Sequence, residues 1–83
     1  MVRSEAARLL SVKLAEKHWS QAHLTKMMSD DLSHVADGLV NRWIKGSRDP
    51  SGPQVGWLQK HLGIDAFLWT VSARSARRLA AGE

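Results

Sequence analysis

The sequence contains no cysteine and only two prolines. Without cysteine, the chain can form neither a disulfide bond nor a thiolate metal site. No apolar run approaches the roughly 18 residues that a membrane-spanning helix needs, and the opening stretch MVRSEAARLL carries charges where a signal peptide would be apolar. We therefore expect a cytoplasmic protein that makes no membrane contact.

Groups that would indicate catalysis or metal binding are also lacking. No nucleophile stands in a recognisable relation to a base, and no pair of carboxylates suggests acid–base chemistry. The histidines share no spacing that is known for metal ligands: His18, His23, His34 and His61. We therefore expect no enzyme activity, no metal, no cofactor and no small-molecule ligand.

The chain is small and basic. Its 83 residues are enough for one domain, and a chain of this size buries only roughly 60–65% of its unfolded surface, so dimerisation would help its stability. Twelve lysines and arginines against eight acids give a net charge of +4 and a pI near 10.1. This balance favours a polyanion as partner, with nucleic acid first and an anionic membrane surface second.

Hydrophobic spacing is helical throughout, and no stretch alternates as a strand would. The pattern predicts an all-α fold, a compact bundle of about five short helices. Their predicted bounds are a first helix capped by Ser4, a second from Gln21 to about Met28, a third from Leu32 to Lys45, a fourth from about Pro53 to Leu62, and a fifth after Asp65 over AFLWTVSARSARRLAA.

The start of the third helix has two interpretations. In the first, Asp31 caps a helix that begins at Leu32 and ends at Gly46, with Trp43 in its apolar stripe. In the second, the Asp37-Gly38 pair is a turn, because glycine inside a helix costs roughly 1 kcal/mol relative to alanine. The helix would then begin near Asp37, and residues 30–36 would be irregular.

The sequence contains, in this order, a helix opened by Ser-Gln, a turn, a helix that ends W-x-x-G, and then R-x-P. This order resembles the lambda-repressor-like helix-turn-helix family of phage repressor, Cro and Xre-type regulators. The resemblance covers about residues 9–66. The matching residues are Ser20, Gln21, Leu24, Arg42, Trp43, Gly46, Arg48, Pro50, Val55, Leu58, Leu62, Gly63 and Ile64.

This sequence departs from the family pattern in three places. About five extra residues separate Gln21 from Trp43, and the usual glycine after the second helix is replaced by Ser29-Asp30-Asp31. Ile44 stands where an acidic residue commonly follows the tryptophan. The extra residues lengthen either the recognition helix or the turn before it, and both remain open at this point.

The resemblance implies that the third helix lies in the major groove of DNA and that Gln21 binds a phosphate. Residue chemistry independently suits the exposed side of this helix to base reading, since Asn41 can pair with adenine and His34 can donate to guanine. The candidate base-reading residues are Ser33, His34, Asp37, Gly38 and Asn41. The candidate phosphate ligands are Gln21, Arg42, Lys45 and Arg48.

Acidic residues argue in the other direction, because a carboxylate that faces phosphates is repelled. We expect Asp31 to cap a helix. Asp37, on the exposed side, could accept a hydrogen bond from cytosine or exclude wrong sequences. It could also mean that this side does not meet DNA.

Residues 1–65 form the predicted helix-turn-helix domain, and residues 66–83 form a C-terminal helix and basic tail of the same domain. Candidate dimer contacts are Trp57, Leu68, Trp69 and Val71. A basic cluster near the end could be a solvated face, an added DNA-backbone contact or a partner site: Arg74, Arg77 and Arg78.

The function that we expect is sequence-specific binding of double-stranded DNA by a prokaryotic, phage or plasmid regulator. The most direct form is a homodimeric repressor on a palindromic operator. One alternative is the antitoxin of a toxin–antitoxin pair, which would also bind a protein partner. The other is a protein-interaction module that has the same fold without DNA binding.

Overall fold

The computed structural model describes residues 3–32, 35–36 and 38–72, and these form four α-helices and one 3₁₀ helix. The α-helices are α1 (Glu5–Lys17), α2 (Gln21–Asp31), α3 (Leu39–Lys45) and α4 (Gly52–Leu62), and the 3₁₀ helix covers Ala66–Thr70. Within these residues there is no strand, although an isolated bridge pairs Ser4 with Ser72. The all-α prediction is confirmed for the described residues, which contain four α-helices and one 3₁₀ helix where about five short helices were predicted. No helix among them is long and apolar enough to cross a membrane.

The first two helices begin where serine was predicted to cap them. Ser4 Oγ accepts a hydrogen bond from the amide of Ala7 at 3.1 Å, and Ser20 Oγ accepts one from the amide of His23 at 3.0 Å. Each bond satisfies an amide that has no partner inside its helix. α2 ends at Asp31, three residues later than predicted.

The third helix begins at Leu39, with Gly38 as its N-cap, so the interpretation that starts it at Leu32 is wrong. The shorter interpretation is right about the late start, but Asp30 and Asp31 belong to α2 and are not irregular. Gly38 is the N-cap of α3 and has a φ of 81°, a left-handed conformation that would break any helix passing through it. The role predicted for Asp31 is also wrong. Asp31 lies in the last turn of α2, where its carboxylate accepts a hydrogen bond from Trp57 and caps no following helix.

The connection between α2 and α3 is fixed to the core at Val35. Its side chain is only 1% exposed, and its amide donates a hydrogen bond to Ser29 Oγ at 3.0 Å. Burial of a valine side chain contributes roughly 1.5–3 kcal/mol, which helps to hold this connection against the core. α3 itself is short, with seven residues.

The core forms around Trp43, which is fully buried as predicted. It belongs to one apolar cluster to which all four α-helices and the 3₁₀ helix contribute. The largest of the other fully buried side chains are Leu10, Leu24, Met28, Leu58, Ile64, Val35 and Val40. α1 and α2 both pack on α3, so α3 is held from two sides.

The fifth helix of the prediction is replaced by the short 3₁₀ helix. Asp65 starts it as predicted, by accepting a hydrogen bond from the amide of Phe67 at 2.9 Å. Val71 then takes an extended conformation, and its carbonyl oxygen accepts a bond from the amide of Glu5 at 2.7 Å. This carbonyl pairs with the start of α1, so no α-helix runs through Val71. Residues 73–83, the remainder of the predicted helix, lie outside the described residues.

Two glycines in the same conformation provide a test of how tightly α3 is packed. Gly46 and Gly63 end α3 and α4 with φ values of 80° and 70°. A Cβ at Gly63 would meet open space, whereas one at Gly46 would lie 3.1 Å from the Cα of Arg3. Left-handed backbone costs a residue with a side chain about 1–2 kcal/mol. We expect Gly63→Ala to lose about that much stability and Gly46→Ala to lose at least about 1 kcal/mol more, measured by urea unfolding. Equal losses would contradict the tight packing of Arg3 on Gly46.

Candidate nucleic-acid interface

Three basic residues and one amide form a polar surface on and directly after α3. We call Asn41, Arg42, Lys45 and Arg48 the α3 surface. Asn41 and Lys45 are one turn apart and therefore share a side of the helix, with Arg42 at its flank. Asn41 is half-buried, and the three basic residues are exposed. Val40 and Trp43 occupy the opposite, buried side, so the core itself turns the polar side outward.

The positive charges of the α3 surface are not neutralised within the described part of the chain. The ion pairs found there join Arg8 to Glu5 and His61 to Asp31. No side chain among the described residues pairs or hydrogen-bonds with those of Arg42, Lys45 and Arg48. Arg42 and Lys45 do have a structural use, because cations in the last turn of a helix interact favourably with its dipole. That interaction leaves their side-chain donors free for an anion.

Only part of the predicted base-reading set can be placed. Ser33, His34 and Asp37 lie outside the described residues. Gly38 is exposed at the N-terminal end of α3, and a Cβ there would meet nothing within 4 Å. The left-handed backbone, and not a shortage of space within the chain, therefore explains the glycine. The open space also leaves this end of α3 accessible to a partner.

Gln21 is the first residue of α2 and is exposed. Ser20 Oγ accepts a hydrogen bond from the amide of His23. The first two amides of the helix, those of Gln21 and Ala22, have no hydrogen-bond partner among the described residues. Free amides at a helix start attract anions. α2 packs directly on α3, so Gln21 belongs to the same two-helix unit as the α3 surface.

The acids at the end of α2 are separated from Gln21 by the length of that helix. Eleven residues of α-helix span about 16 Å. Asp31 Oδ2 accepts a hydrogen bond from Trp57 Nε1 at 2.8 Å and lies 3.8 Å from His61 Nε2. This carboxylate thus has a structural role, which removes one objection to DNA binding. Asp49 remains, since it is exposed and directly follows Arg48.

A second feature is a cleft of about 490 Å³ between the end of α2 and α4. Its lining residues are Asp31, Leu32, Pro53, Gly56, Trp57, Lys60 and His61. The His61 ring stacks on the Trp57 indole with 4.3 Å between ring centroids. The sequence did not predict this arrangement, because Asp31 and Trp57 are 26 residues apart and no local pattern links them.

The candidate dimer contacts are less exposed than a surface role would favour. Trp57 and Trp69 are only 5% and 8% exposed and belong to the chain's own core, while Leu68 and Val71 are half-buried. Phe67, in contrast, is 67% exposed. An exposed phenylalanine beside half-buried Leu68 is the apolar surface that the described residues offer to another protein.

Comparison with known proteins adds no further information. The chain matches no protein-family model, no curated protein and no solved structure.

The bond between Asp31 and Trp57 leads to a prediction with a matched control. Asp30 is exposed, lies in the same helical turn and has no side-chain bond to another described residue. Either substitution by alanine removes an acid from a helix end where it is unfavourable. Asp31→Ala also leaves the indole N–H of Trp57 unpaired. We expect Asp31→Ala to be less stable than Asp30→Ala by about 1–2 kcal/mol in urea unfolding. Equal stabilities would show that this hydrogen bond contributes nothing.

Proposed function

We propose that the protein binds double-stranded DNA sequence-specifically and acts as a transcriptional repressor. The observation that carries this proposal is the α3 surface, which combines the Asn41 amide with three exposed and unpaired cations on and directly after one helix. The overall charge of +4 supports it. The resemblance of the Ser-Gln and W-x-x-G-x-R-x-P motifs to helix-turn-helix regulators points to the same function.

An α-helix such as α3 fits the major groove. With its side chains a helix is about 10–12 Å across, and the groove is about 12 Å wide and accepts one. Asn41 lies in the middle of α3, where its amide can form two hydrogen bonds with an adenine edge. Lys45 and Arg48 follow toward the end of the helix, where phosphates would flank the groove. In this arrangement Asn41 reads sequence, and the cations fix the position of the helix.

α2 would add a contact to the DNA backbone. The unpaired amides at its start and the Gln21 side chain are groups that bind a phosphate without reading a base. Because α2 packs on α3, this contact would fix the angle at which α3 enters the groove. Ser33, His34 and Asp37 stay candidates for base reading, together with the exposed Gly38.

We propose a homodimer on a palindromic site, with two copies of α3 about 34 Å apart, one turn of DNA. A small domain gains stability and affinity from such pairing. The exposed Phe67 with Leu68 and Val71 is the apolar surface that supports it. Occupancy of an operator by the dimer would then repress transcription by blocking polymerase.

A protein-interaction module is the second candidate, and the cleft beside Trp57 favours it. The cleft is lined by Leu32, Pro53 and Trp57 together with the charged side chains of Asp31 and Lys60. Protein–protein interfaces combine apolar and polar groups in this way. A module of this kind would leave the α3 surface unused. Its binding would not depend on the phosphate charge of DNA.

Selection of bound sequences from random duplex DNA, followed by a salt titration, separates these functions. We expect a palindrome to emerge. A regulator with about 6–10 phosphate contacts should lose on the order of 10³–10⁵ in affinity between about 50 and 200 mM salt, because each contact releases counterions. Failure to enrich any palindrome, together with binding that is flat with salt, would contradict DNA binding as the function.

The α3 surface predicts different effects for its amide and its arginine. Asn41→Ala should relax the preference at one base pair, at a cost of about 1–3 kcal/mol for the selected base. Arg48→Ala should weaken binding to all sequences alike and reduce the salt slope by about 1. Fluorescence anisotropy with the selected duplex and single-base variants measures both.

Lys60→Ala is the matched control for Arg48→Ala, because it also removes one exposed positive charge. Lys60 lines the cleft with Asp31, at the end of α2 away from Gln21. Charges that are separated by more than about 10 Å are screened at 0.1 M salt. We therefore expect Lys60→Ala to bind DNA as the wild type does. If it weakens binding as much as Arg48→Ala, the cations of the α3 surface have no special role.

A further inference from the structure

Arg3 holds the N-terminal segment of the chain against the end of α3. Its Nη1 donates a hydrogen bond to the carbonyl oxygen of Ile44 at 3.2 Å, in the last turn of that helix. Its Cα lies where a side chain on Gly46 would clash. From the other side, the amide of Glu5 donates to the carbonyl oxygen of Val71 at 2.7 Å. Arg3 is therefore fixed beside the α3 surface, although it is far from it in sequence.

The contact with Ile44 leaves most of the Arg3 guanidinium unused. An arginine has five N–H donors. No described residue accepts a hydrogen bond from Nε or Nη2 of Arg3, and no acid in the described part of the chain forms an ion pair with it. Arg8 is the contrasting case. Its Nε and Nη2 both donate to the Glu5 carboxylate, at 2.7 and 2.8 Å, so its charge and its donors are already paired.

The position of Arg3 is close to the two cations at the end of the α3 surface. Lys45 directly follows Ile44 in the chain. Arg48 follows Gly46 by two residues, so its Cα lies within about 7 Å of the Cα of Gly46. The backbone of Lys45 and that of Arg48 thus lie close to the end of α3 that Arg3 contacts through Ile44 and Gly46.

We propose that Arg3 is a further phosphate-binding residue, which holds the DNA backbone together with Arg48. This inference rests on the proposed DNA binding. The Nε and Nη2 donors form the fork that binds two oxygens of one phosphate. The bond from Nη1 to Ile44 holds the guanidinium in place beforehand, so less side-chain freedom is lost when DNA binds. Because Arg3 would contact both the phosphate and Ile44, it would also fix the position of the bound phosphate relative to the end of α3.

Salt titrations of Arg3→Gln, Arg3→Lys and Lys60→Gln against the wild type test this role with the selected duplex. Removal of one phosphate contact should make the decrease of log affinity with log salt less steep by about 0.9. We expect this change for Arg3→Gln, so that its affinity deficit is about 3-fold larger at 50 mM than at 200 mM salt. Arg3→Lys keeps the charge and should keep the slope. Lys60→Gln should resemble the wild type.

Three results would overturn the inference. Arg3→Gln with an unchanged slope and an affinity that falls by the same factor at every salt concentration would show that Arg3 only positions α3. A wild type whose binding does not depend on salt would overturn the proposed function itself, and the inference with it. If the affinity of the wild type falls steeply with salt and Arg3→Gln binds as the wild type does, the inference alone is overturned.

Circular dichroism will show whether Arg3→Gln folds. A second measurement, on the wild type, does not depend on the folding of that variant. In ¹⁵N-labelled protein, the Nε–H resonance of Arg3 should shift as the selected duplex is added, because Nε would then donate to a phosphate oxygen. The Nε–H resonance of Arg8, which is bonded to Glu5, is the internal control and should stay in place. An Arg3 resonance that does not move in saturating duplex would overturn the inference.

Discussion

Burial of Trp43 is the constraint on which the arrangement of the α3 surface depends. The indole is fully buried, and α1 and α2 close over the helix that carries it. Because this side of α3 faces inward, the helical repeat directs Asn41, Arg42 and Lys45 away from the core. The indole Nε1 has no hydrogen-bond partner among the described residues, which costs roughly 1–3 kcal/mol. Burial of so large an apolar ring outweighs this cost and fixes the orientation of the helix.

The sequence predicts those parts of the fold that depend on neighbouring residues. The serine caps of α1 and α2, the glycine ends of α3 and α4, and the inward Trp43 each follow from signals within a few positions. The third helix shows the limit of this reasoning. Its apolar spacing continues back to Leu32, and only the left-handed backbone at Gly38 shows that the same spacing belongs to a buried connection. Hydrophobic period does not distinguish a helix from a loop that inserts Val35 into the core.

Contacts between distant segments account for the rest of what the sequence did not predict. Asp31 was expected to cap a helix, a role that carboxylates often have, but its oxygen accepts from an indole 26 residues away. Val71 was expected in a helix, and its carbonyl instead pairs with the amide of Glu5. Arg3 joins the candidate site for the same reason, since its bond to Ile44 spans 41 residues. The candidate site is thus predictable on α3 itself and not in the segments that pack beside it.

The shortness of α3 links the proposed DNA binding to the stability of the whole domain. An isolated helix of seven residues does not form in water, because helix nucleation costs more than two turns recover. α3 therefore depends on its caps, on Trp43 and Val40 in the core, and on Arg3 at its end. A core substitution that lets α3 tilt would displace Asn41 and the cations together. Such a variant would lose affinity for all sequences, whereas Asn41→Ala would change the preference at one base pair. The pattern of loss across sequences, more than its size, thus distinguishes a base-reading residue from one that holds the helix.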